Sequence, residues 1–328
     1  MKFLIAGFGS IGRRHLRNLR ALGEEDILLY RTHHSTLPDD ETAGVPVETS
    51  LDRALAHHPD AVIIANPTAL HMEIAIPAAE AGCHILMEKP IADSLDKVDH
   101  LRAALAGGKC QLLVGFQFRY HPVLRQVKGW LNDGVIGKPY SFRAHWGEYL
   151  PNWHPWEDYK KSYAARSELG GGVVLTLIHP LDYLRWLLGD VQSLWAFTGT
   201  LGDLGIEVAD SAEIGLRFEG GAAGTVHVDY LQRPAGHTLQ IMGTSGMIQW
   251  DNSTGSASLY QAADDRWENI SPPPGFDRND LFLDELRHFI RVIEGLENPA
   301  CTLSDGAWAL RLALSAHQSA QSGTQIHF

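Results

Sequence analysis

The sequence predicts an α/β protein with two domains. From residue 1 to about 118, short apolar runs alternate with amphipathic helical patterns, which is typical of a doubly wound parallel sheet with helices on both faces. After Asp210 the chain changes to short alternating runs separated by glycine turns, which predicts mostly antiparallel strands. The 328 residues are enough for each domain to bury a core. We therefore place the domains at 1–118 and 119–328.

The first domain is predicted from apolar runs that end at glycine or polar residues. Its strands are Lys2–Ala6, Ile27–Tyr30, Ala61–Ala65, Cys83–Glu88 and Gln111–Phe116. Its helices are Arg13–Leu22, Leu51–His57, Leu70–Ala81 and Leu95–Ala106, the last with Ser94 as its N-cap.

The second domain begins with a predicted helix at Val123–Leu131, which is followed by an aromatic stretch and a triple glycine at 170–172. Two amphipathic helices near 280–294 and 304–320 close the chain. The predicted strands between them are Glu213–Phe218, Thr225–Leu231, Thr238–Met242, Met247–Trp250 and Ala257–Tyr260.

Composition narrows the class of protein. The net charge of −12 argues against nucleic acid or an anionic membrane as the main partner. The three cysteines are widely spaced, which predicts free thiols, a reducing compartment and no metal site. No run approaches the roughly 20 apolar residues of a membrane span, and no signal peptide is evident. We therefore expect a cytoplasmic protein.

A glycine fingerprint follows the first predicted strand and opens the first helix. In this context, Gly7 permits a tight turn, Gly9 lets backbone approach a pyrophosphate, and Gly12 lets helix and strand pack closely. The helix N-terminus favours anionic phosphates. A glycine turn without a ligand is the alternative. The residues predicted to bind the dinucleotide here are Gly7, Gly9, Ser10, Ile11 and Gly12.

The residues after the second strand bear on the choice of nicotinamide. An acid in this place favours NAD, because it binds the ribose 2′-hydroxyl. This chain has Arg31 there, followed by Thr32 and His33, and these side chains suit a 2′-phosphate. We therefore expect NADP in preference to NAD. The alternative is an arginine that only stacks on adenine.

Lys89 directly follows the predicted strand Cys83–Glu88, at the edge where open α/β sheets bind ligands. A partly desolvated lysine has a lowered pKa and can carry protons near neutrality. Together with the fingerprint, it predicts hydride transfer by a nicotinamide with a proton moved by Lys89. The alternative is a salt-bridged lysine at a strand end.

Several further motifs occur in a fixed order along the chain. They are Arg14-His15 after the fingerprint, Asn66-Pro67-Thr68 with His71, Glu88-Lys89-Pro90, Gly115–Pro122, Gly170–Gly172, and His179–Asp182 running into Arg185-Trp186. With these pieces the chain resembles the Gfo/Idh/MocA family of sugar and inositol dehydrogenases over nearly its whole length. The resemblance implies an N-terminal Rossmann domain and a C-terminal α/β domain with a large open, mostly antiparallel sheet.

The resemblance also implies partners and roles. The large sheet often forms the subunit interface, which implies a homodimer or homotetramer. Lys89 is implied as a proton relay and His179 as a catalytic histidine. The flanks of His179 are apolar, and a buried, hydrogen-bonded core histidine is the alternative. The family's usual aspartate lies a few residues before the histidine, where this chain has Thr176, which cannot supply a carboxylate.

Polar residues at other strand ends extend the predicted site. Asn66 and His71 are expected near the nicotinamide ribose or amide, whereas Thr68 could instead be only a helix cap. The cofactor contacts predicted in this part of the chain are Asn66, Thr68, His71, Glu88, Lys89 and Gln117.

The stretch from Trp146 to Tyr159 combines aromatic faces with hydrogen-bonding side chains, which suits a sugar ring. The alternative is an aromatic loop that packs a domain or subunit contact. Basic residues that follow it suit a carboxylate or phosphate on the substrate. The residues predicted to contact substrate are Lys89, Arg119, Tyr149, Trp153, His154, Trp156, Arg166, Thr176 and His179.

These observations predict an NAD(P)-dependent oxidoreductase that transfers a hydride between the nicotinamide and a hydroxyl or keto carbon of a sugar, sugar derivative or cyclitol. A glycosidase that retains its NAD is one alternative. A non-catalytic nucleotide-binding sensor is the other.

Overall fold

The structure, a computed structural model, describes residues 1–32 and 40–328. His33, predicted to help bind a 2′-phosphate, lies outside the described residues. The chain divides into two compact units that are not continuous in sequence. The first unit comprises Met1–Gln117, Glu168–Gly170 and Asp277–Leu310. The second comprises Phe118–Ser167, Gly171–Phe276 and Arg311–Phe328.

The first unit contains a six-stranded sheet in the order β3-β2-β1-β4-β5-β6, and every pairing in it is parallel. The strands are β1 (Phe3–Ala6), β2 (Ile27–Tyr30), β3 (Val47–Glu48), β4 (Ala61–Ile64), β5 (His84–Glu88) and β6 (Leu112–Gly115). The helices are α1 (Ser10–Ala21), α2 (Leu51–Leu55), α3 (His71–Glu80) and α4 (Val98–Gly108). This strand order confirms the predicted doubly wound sheet.

One predicted helix start is wrong. Ser94 does not cap α4, because the helix begins at Val98 with Lys97 at the N-cap position. The Ser94 hydroxyl instead donates a hydrogen bond to the Asp96 carboxylate at 3.2 Å. A serine that bonds two residues ahead forms a local turn, and this turn competes with helix initiation.

The second unit contains a nine-stranded sheet in the order β14-β13-β12-β11-β7-β10-β9-β8-β15. Its pairings are antiparallel except for the parallel pair β7–β10, which confirms the predicted mostly antiparallel sheet. The elements in chain order are α5 (Pro122–Asn132), β7 (Pro139–Gly147), α6 (Val173–Thr176), α7 (His179–Leu188), β8 (Val191–Gly199), β9 (Ser211–Phe218), β10 (Ala223–Asp229), β11 (Gly236–Gly243), β12 (Gly246–Asp251), β13 (Ser256–Gln261) and β14 (Arg266–Ile270). After them come α8 (Arg278–Ile293), which belongs to the first unit, α9 (Leu303–Ser322), whose residues are divided between the two units, and β15 (Ile326–His327) of the second unit.

The strands β7 and β8 lie outside the predicted elements. In β7, Phe142, Ala144 and Trp146 are buried, whereas Arg143 and His145 between them are at least partly exposed. This is the alternation of a strand with one covered face, against which α7 packs. The signal is weak because polar and aromatic residues interrupt the apolar positions.

The helix α8 belongs to the first unit. It begins in a capping box, in which the Asp277 carboxylate accepts from the Asn279 amide and the Asp280 carboxylate accepts from the Asp277 amide. It packs on α1, where the side-chain amides of Asn18 and Asn279 exchange hydrogen bonds of 3.3 and 2.8 Å. This contact brings a distant part of the sequence to the parallel sheet.

Within residues 1–32 and 40–328, no helix is both long and apolar enough to cross a membrane. The cysteines Cys83, Cys110 and Cys301 are buried free thiols.

Candidate active site

The glycine loop after β1 has the shape that its sequence predicts. Gly7 has φ of +98°, and a Cβ on it would lie 2.6 Å from the Asn66 backbone nitrogen. A Cβ on Gly12 would lie 2.2 Å from the Gly7 carbonyl oxygen. By contrast, a Cβ on Gly9 would meet nothing within 4 Å. Gly7 and Gly12 therefore maintain the turn, and Gly9 lies at the open side of the loop.

The N-terminus of α1 and the end of β4 offer groups that fit a dinucleotide. Gly9 is the N-cap of α1 and supplies no side-chain cap, and the first turn, which begins at Ser10 and Ile11, contains no acid. These first N–H groups suit an anionic phosphate. The Asn66 side-chain oxygen is buried and has no hydrogen-bond partner among the described residues. It suits a ribose hydroxyl or a carboxamide as donor.

Two arginines contact the Phe8 ring next to the end of β2. The guanidinium carbon of Arg31 lies 5.7 Å from the ring centroid, and that of Arg13 lies 4.9 Å from it. Both arginines are buried, and Arg13 also pairs with Glu41 at 3.3 Å. Thr32 is exposed. The contact between Arg13 and Phe8 was not predicted from the sequence, although the position of Arg13 directly after the fingerprint indicates that it lies near this loop.

Three other predicted cofactor residues, Thr68, His71 and Gln117, are almost fully buried. The His71 Nε2 donates to the Asn66 carbonyl at 2.9 Å, and burial lowers the pKa of His71, which favours the neutral ring. A Cβ on Gly170 would lie 2.8 Å from the Thr68 Cβ, so Thr68 packs closely on this glycine. These contacts stabilise the loop that carries Asn66. Direct contact of Thr68, His71 and Gln117 with a cofactor stays a prediction.

Lys89 follows the last residue of β5 and is partly buried. Its peptide bond to Pro90 is cis. The preceding residue, Glu88, accepts a 2.8 Å hydrogen bond from Nε2 of His15, which is fully buried in α1. The strand end that carries Lys89 is therefore tied to the helix that follows the glycine loop.

Glu285 in α8 is the functional candidate that the sequence does not reveal. Its side chain is fully buried, and neither carboxyl oxygen has a hydrogen-bond partner among the described residues. Burial, and then the charge of Glu88, raise the pKa of Glu285 well above its usual value. Burial thus favours the neutral form of this acid. Its position on the apolar face of α8, between Phe282 and Leu286 in sequence, is the only signal that could have found it.

We expect Glu285→Gln to raise the free energy of unfolding at pH 7, because a neutral amide replaces an acid whose ionised form is disfavoured by burial. Because the folded-state pKa is raised, the native protein keeps a proton that the unfolded chain releases above the ordinary glutamate pKa of 4.5. Stability therefore falls as pH rises above that value, and the neutral glutamine removes this loss. Urea unfolding at pH 5, 6, 7 and 8 measures the slope. Glu294→Gln, at the exposed C-cap of the same helix, is the control, and an unchanged slope in Glu285→Gln contradicts the prediction.

In the second unit, His179 is the first residue of α7 and is almost fully buried. Thr176, three residues earlier, is also buried, and its side chain lies near the Tyr230 hydroxyl. Tyr230 in turn donates to the Ala164 carbonyl at 3.2 Å, and burial raises the pKa of Tyr230 well above its usual value. Thr176 therefore lies beside a buried phenol whose neutral form is favoured.

Arg119 forms a buried bidentate ion pair with Asp182 of α7. Its Nε and Nη2 lie 3.0 and 2.6 Å from the two carboxylate oxygens. Both side chains are almost fully buried, which makes this the geometry of a strong charge-assisted pair. The structure thus gives Arg119 a structural partner where the sequence predicts a substrate contact.

The other predicted substrate residues lie in the segment after β7. Tyr149 is partly buried, with the Arg233 guanidinium carbon 4.0 Å from its ring centroid. Trp156 is 68% exposed, and Arg166 is exposed as well. A small cleft in this segment is lined by Leu150, Trp153, His154, Glu157, Tyr159 and Ser162.

Both units match family models of known proteins. Residues 1–116 match the family model described as an oxidoreductase family with an NAD-binding Rossmann fold. Residues 124–249 match the GFO/IDH/MocA C-terminal domain. Each match lies mainly within one of the two compact units.

Individual relatives are similar over most of their length. Myo-inositol 2-dehydrogenase of Thermotoga maritima is 28% identical over 99% of this chain and 98% of its own. The scyllo-inositol 2-dehydrogenase (NAD(+)) of Bacillus subtilis is 29% identical over 81% of this chain and 77% of its own. A structure of levoglucosan dehydrogenase in complex with NADH has a TM-score of 0.88 at 21% identity, covering 100% of this chain and 98% of that one, and so shares the fold.

Proposed function

The chain belongs to the GFO/IDH/MocA family of oxidoreductases, and from this premise we propose that it is an NAD(P)-dependent dehydrogenase or reductase of a sugar, sugar derivative or cyclitol. The observation that carries the proposal is the placement of Lys89. It is partly buried at the end of β5, and the carboxyl ends of these parallel strands share one sheet edge with the glycine loop. The similarity to inositol dehydrogenases supports this substrate class.

The first unit would hold the cofactor through groups already described. The loop at Gly7–Gly12 and the N-terminus of α1 bind the pyrophosphate, and the Asn66 oxygen accepts a hydrogen bond from the nicotinamide half. When bound, the nicotinamide accepts a hydride from the substrate carbon or donates one to it.

Side chains of the protein accept and release the proton of the reacting hydroxyl. We assign the proton of the reacting hydroxyl to Lys89 and make His179 the second proton carrier. Thr176 is near the sequence position where the family usually has an aspartate. It cannot accept this proton, because its hydroxyl is not basic at neutral pH. The Glu88–His15 hydrogen bond fixes the strand end and so restricts where Lys89 can reach.

A substrate panel tests the proposal. Purified protein is incubated with NAD⁺ or NADP⁺ and single sugars, nucleotide sugars or cyclitols, and reduced nicotinamide is followed by absorbance. Turnover with a member of these classes is the expected result. Glycoside cleavage without net change in nicotinamide favours the glycosidase alternative. Cofactor binding without turnover of any compound favours the sensor.

We infer a preference for NADP from the pair of arginines at Phe8. Arg31→Ala is expected to weaken NADP⁺ binding by about 10- to 100-fold, because a charge-assisted hydrogen bond contributes about 1.5–3 kcal/mol. NAD⁺ binding is expected to change by less than about threefold, because NAD⁺ lacks the 2′-phosphate. Calorimetry with both dinucleotides measures the two constants. Arg20→Ala, exposed in the same unit, is the control. Equal losses for both cofactors assign Arg31 to adenine stacking instead.

We also propose that the outer face of the nine-stranded sheet joins copies of the chain into a dimer or tetramer. Neighbouring outward side chains of β8, Trp195 and Phe197, are 42% and 70% exposed. An exposed aromatic pair of this kind is typical of an interface. Phe197→Asp is expected to shift the sedimentation coefficient towards monomer, whereas Leu296→Asp, exposed in the first unit, leaves it unchanged. A monomeric parent protein contradicts the proposal.

A further inference from the structure

The inner face of the nine-stranded sheet carries a pair of stacked rings. Trp146 of β7 and His237 of β11 are directly opposite in the antiparallel register. Their rings are parallel within 1°, with centroids 4.4 Å apart. Both side chains are buried. Directly opposite side chains on one face of a sheet are close enough to stack, so the sheet register determines this arrangement.

The same tryptophan contacts His179. The two ring centroids lie 5.4 Å apart with the planes inclined at 35°. Phe118 presents a perpendicular ring to both histidines, with each centroid pair 5.0 Å apart. The ring of His179 is thus bounded by Trp146 and Phe118, and His237 supports Trp146 from the neighbouring strand.

The charges around His179 decide how well it can carry a proton. It occupies the first turn of α7, where the helix dipole disfavours a cation. Asp182 follows His179 on α7 and Arg119 follows Phe118 in the chain, and these two charged side chains pair with one another. On β11, the His237 Nε2 lies 3.2 Å from the Tyr183 hydroxyl. Burial raises the pKa of Tyr183, so the phenol stays neutral and can donate to this nitrogen.

A group that favours an imidazolium here is the indole ring of Trp146, since indole is the best aromatic partner of a cation. Resting on the proposed function, we propose that Trp146, supported by His237, is a positioning residue that orients His179 and stabilises its imidazolium whenever His179 carries the proton. The balance is that of the alcohol oxidation: the substrate would lose its hydroxyl proton to the two proton carriers, Lys89 and His179, and its hydride to the nicotinamide.

The pKa of His179, measured by NMR in ring-labelled protein without substrate, tests this role. His179→Asn assigns the resonance. Trp146→Leu is expected to lower the pKa of His179 by about 0.4–1.5 units, the range that a cation–π contact supplies. Trp146→Phe is expected to lower it by less, because it keeps a weaker aromatic face. Trp195→Phe, on the opposite face of the sheet, is the control and leaves it unchanged.

A second variant tests whether His237 affects His179 through its stacking on Trp146. His237→Leu removes the ring under Trp146 and is expected to lower the pKa of His179 in the same direction, with the acid limb of kcat/KM moving by the same amount. A folded Trp146→Leu with an unchanged pKa of His179 overturns the proposal. If that variant does not fold, an unchanged pKa in Trp146→Phe overturns it. A shifted pKa in a protein that turns over no substrate supports the positioning role and removes the proposed function instead.

Discussion

Lys89→Met is expected to lower kcat by about 100- to 10,000-fold, the range that a positioned proton carrier supplies. Methionine keeps most of the apolar stem and removes the ammonium, so packing at the end of β5 is preserved. The cofactor contacts assigned to the glycine loop and to the Asn66 oxygen do not involve the ammonium. The dissociation constant of the nicotinamide is therefore expected to change by less than about threefold, since those contacts remain.

The measurement is steady-state turnover with the best substrate of the panel, together with cofactor titration of the same preparation. Lys97→Met is the matched control, because Lys97 is half exposed in the same unit and pairs with Glu73 at the surface. It should retain the parent kcat. Full turnover by Lys89→Met would return Lys89 to the alternative of a salt-bridged strand end and would remove it from the proton transfer.

Arg119→Met is expected to lower the free energy of unfolding by about 3–5 kcal/mol, because it leaves the carboxylate of Asp182 buried without a cation. The ion pair is bidentate and almost fully buried, and it joins the segment after β6 to the helix that carries His179. Arg119→Lys should recover only part of the loss, because an ammonium cannot reproduce the two parallel hydrogen bonds.

Chemical denaturation of the single variants and of the double variant Arg119→Met/Asp182→Leu separates this role from substrate binding. The double variant should recover most of the lost stability, because both charges are removed together. Arg166→Met, exposed in the same unit, should change stability by less than about 0.5 kcal/mol. A large rise in KM for Arg119→Met with unchanged stability contradicts the structural role and restores the predicted substrate contact.

The predictable part of the fold is the part with strong local patterning. The strands β1, β4 and β6 are buried at every position, so their runs are continuously apolar and stand out. The strands β7 and β8 have one covered face, and their apolar residues alternate with exposed ones. Ser94 shows the limit of local rules, because two local hydrogen-bonding patterns compete for one hydroxyl, and the turn to Asp96 prevails.

The candidate site also has a part that the sequence predicts and a part that only the structure shows. The glycine loop and Lys89 are found from the sequence, because their conformational demands act within a few residues of the chain. The burial of Glu285 and the ion pair of Arg119 are not visible in the sequence, because they depend on what folding places around these side chains. A carboxyl or guanidinium is usually at the surface, and only the packing shows that burial favours the neutral form of Glu285 and that Arg119 is paired with Asp182.

The amino-acid order by itself determined the doubly wound sheet, the fingerprint and the family, because periodicity, turn residues and short motifs are local properties. The tertiary structure alone decided which charges are paired, neutral or stacked. His15 meets Glu88 across 73 residues of sequence, and Arg119 meets Asp182 across 63. Protonation states and ring contacts follow from burial and distance in space, so they become visible only when the chain has folded.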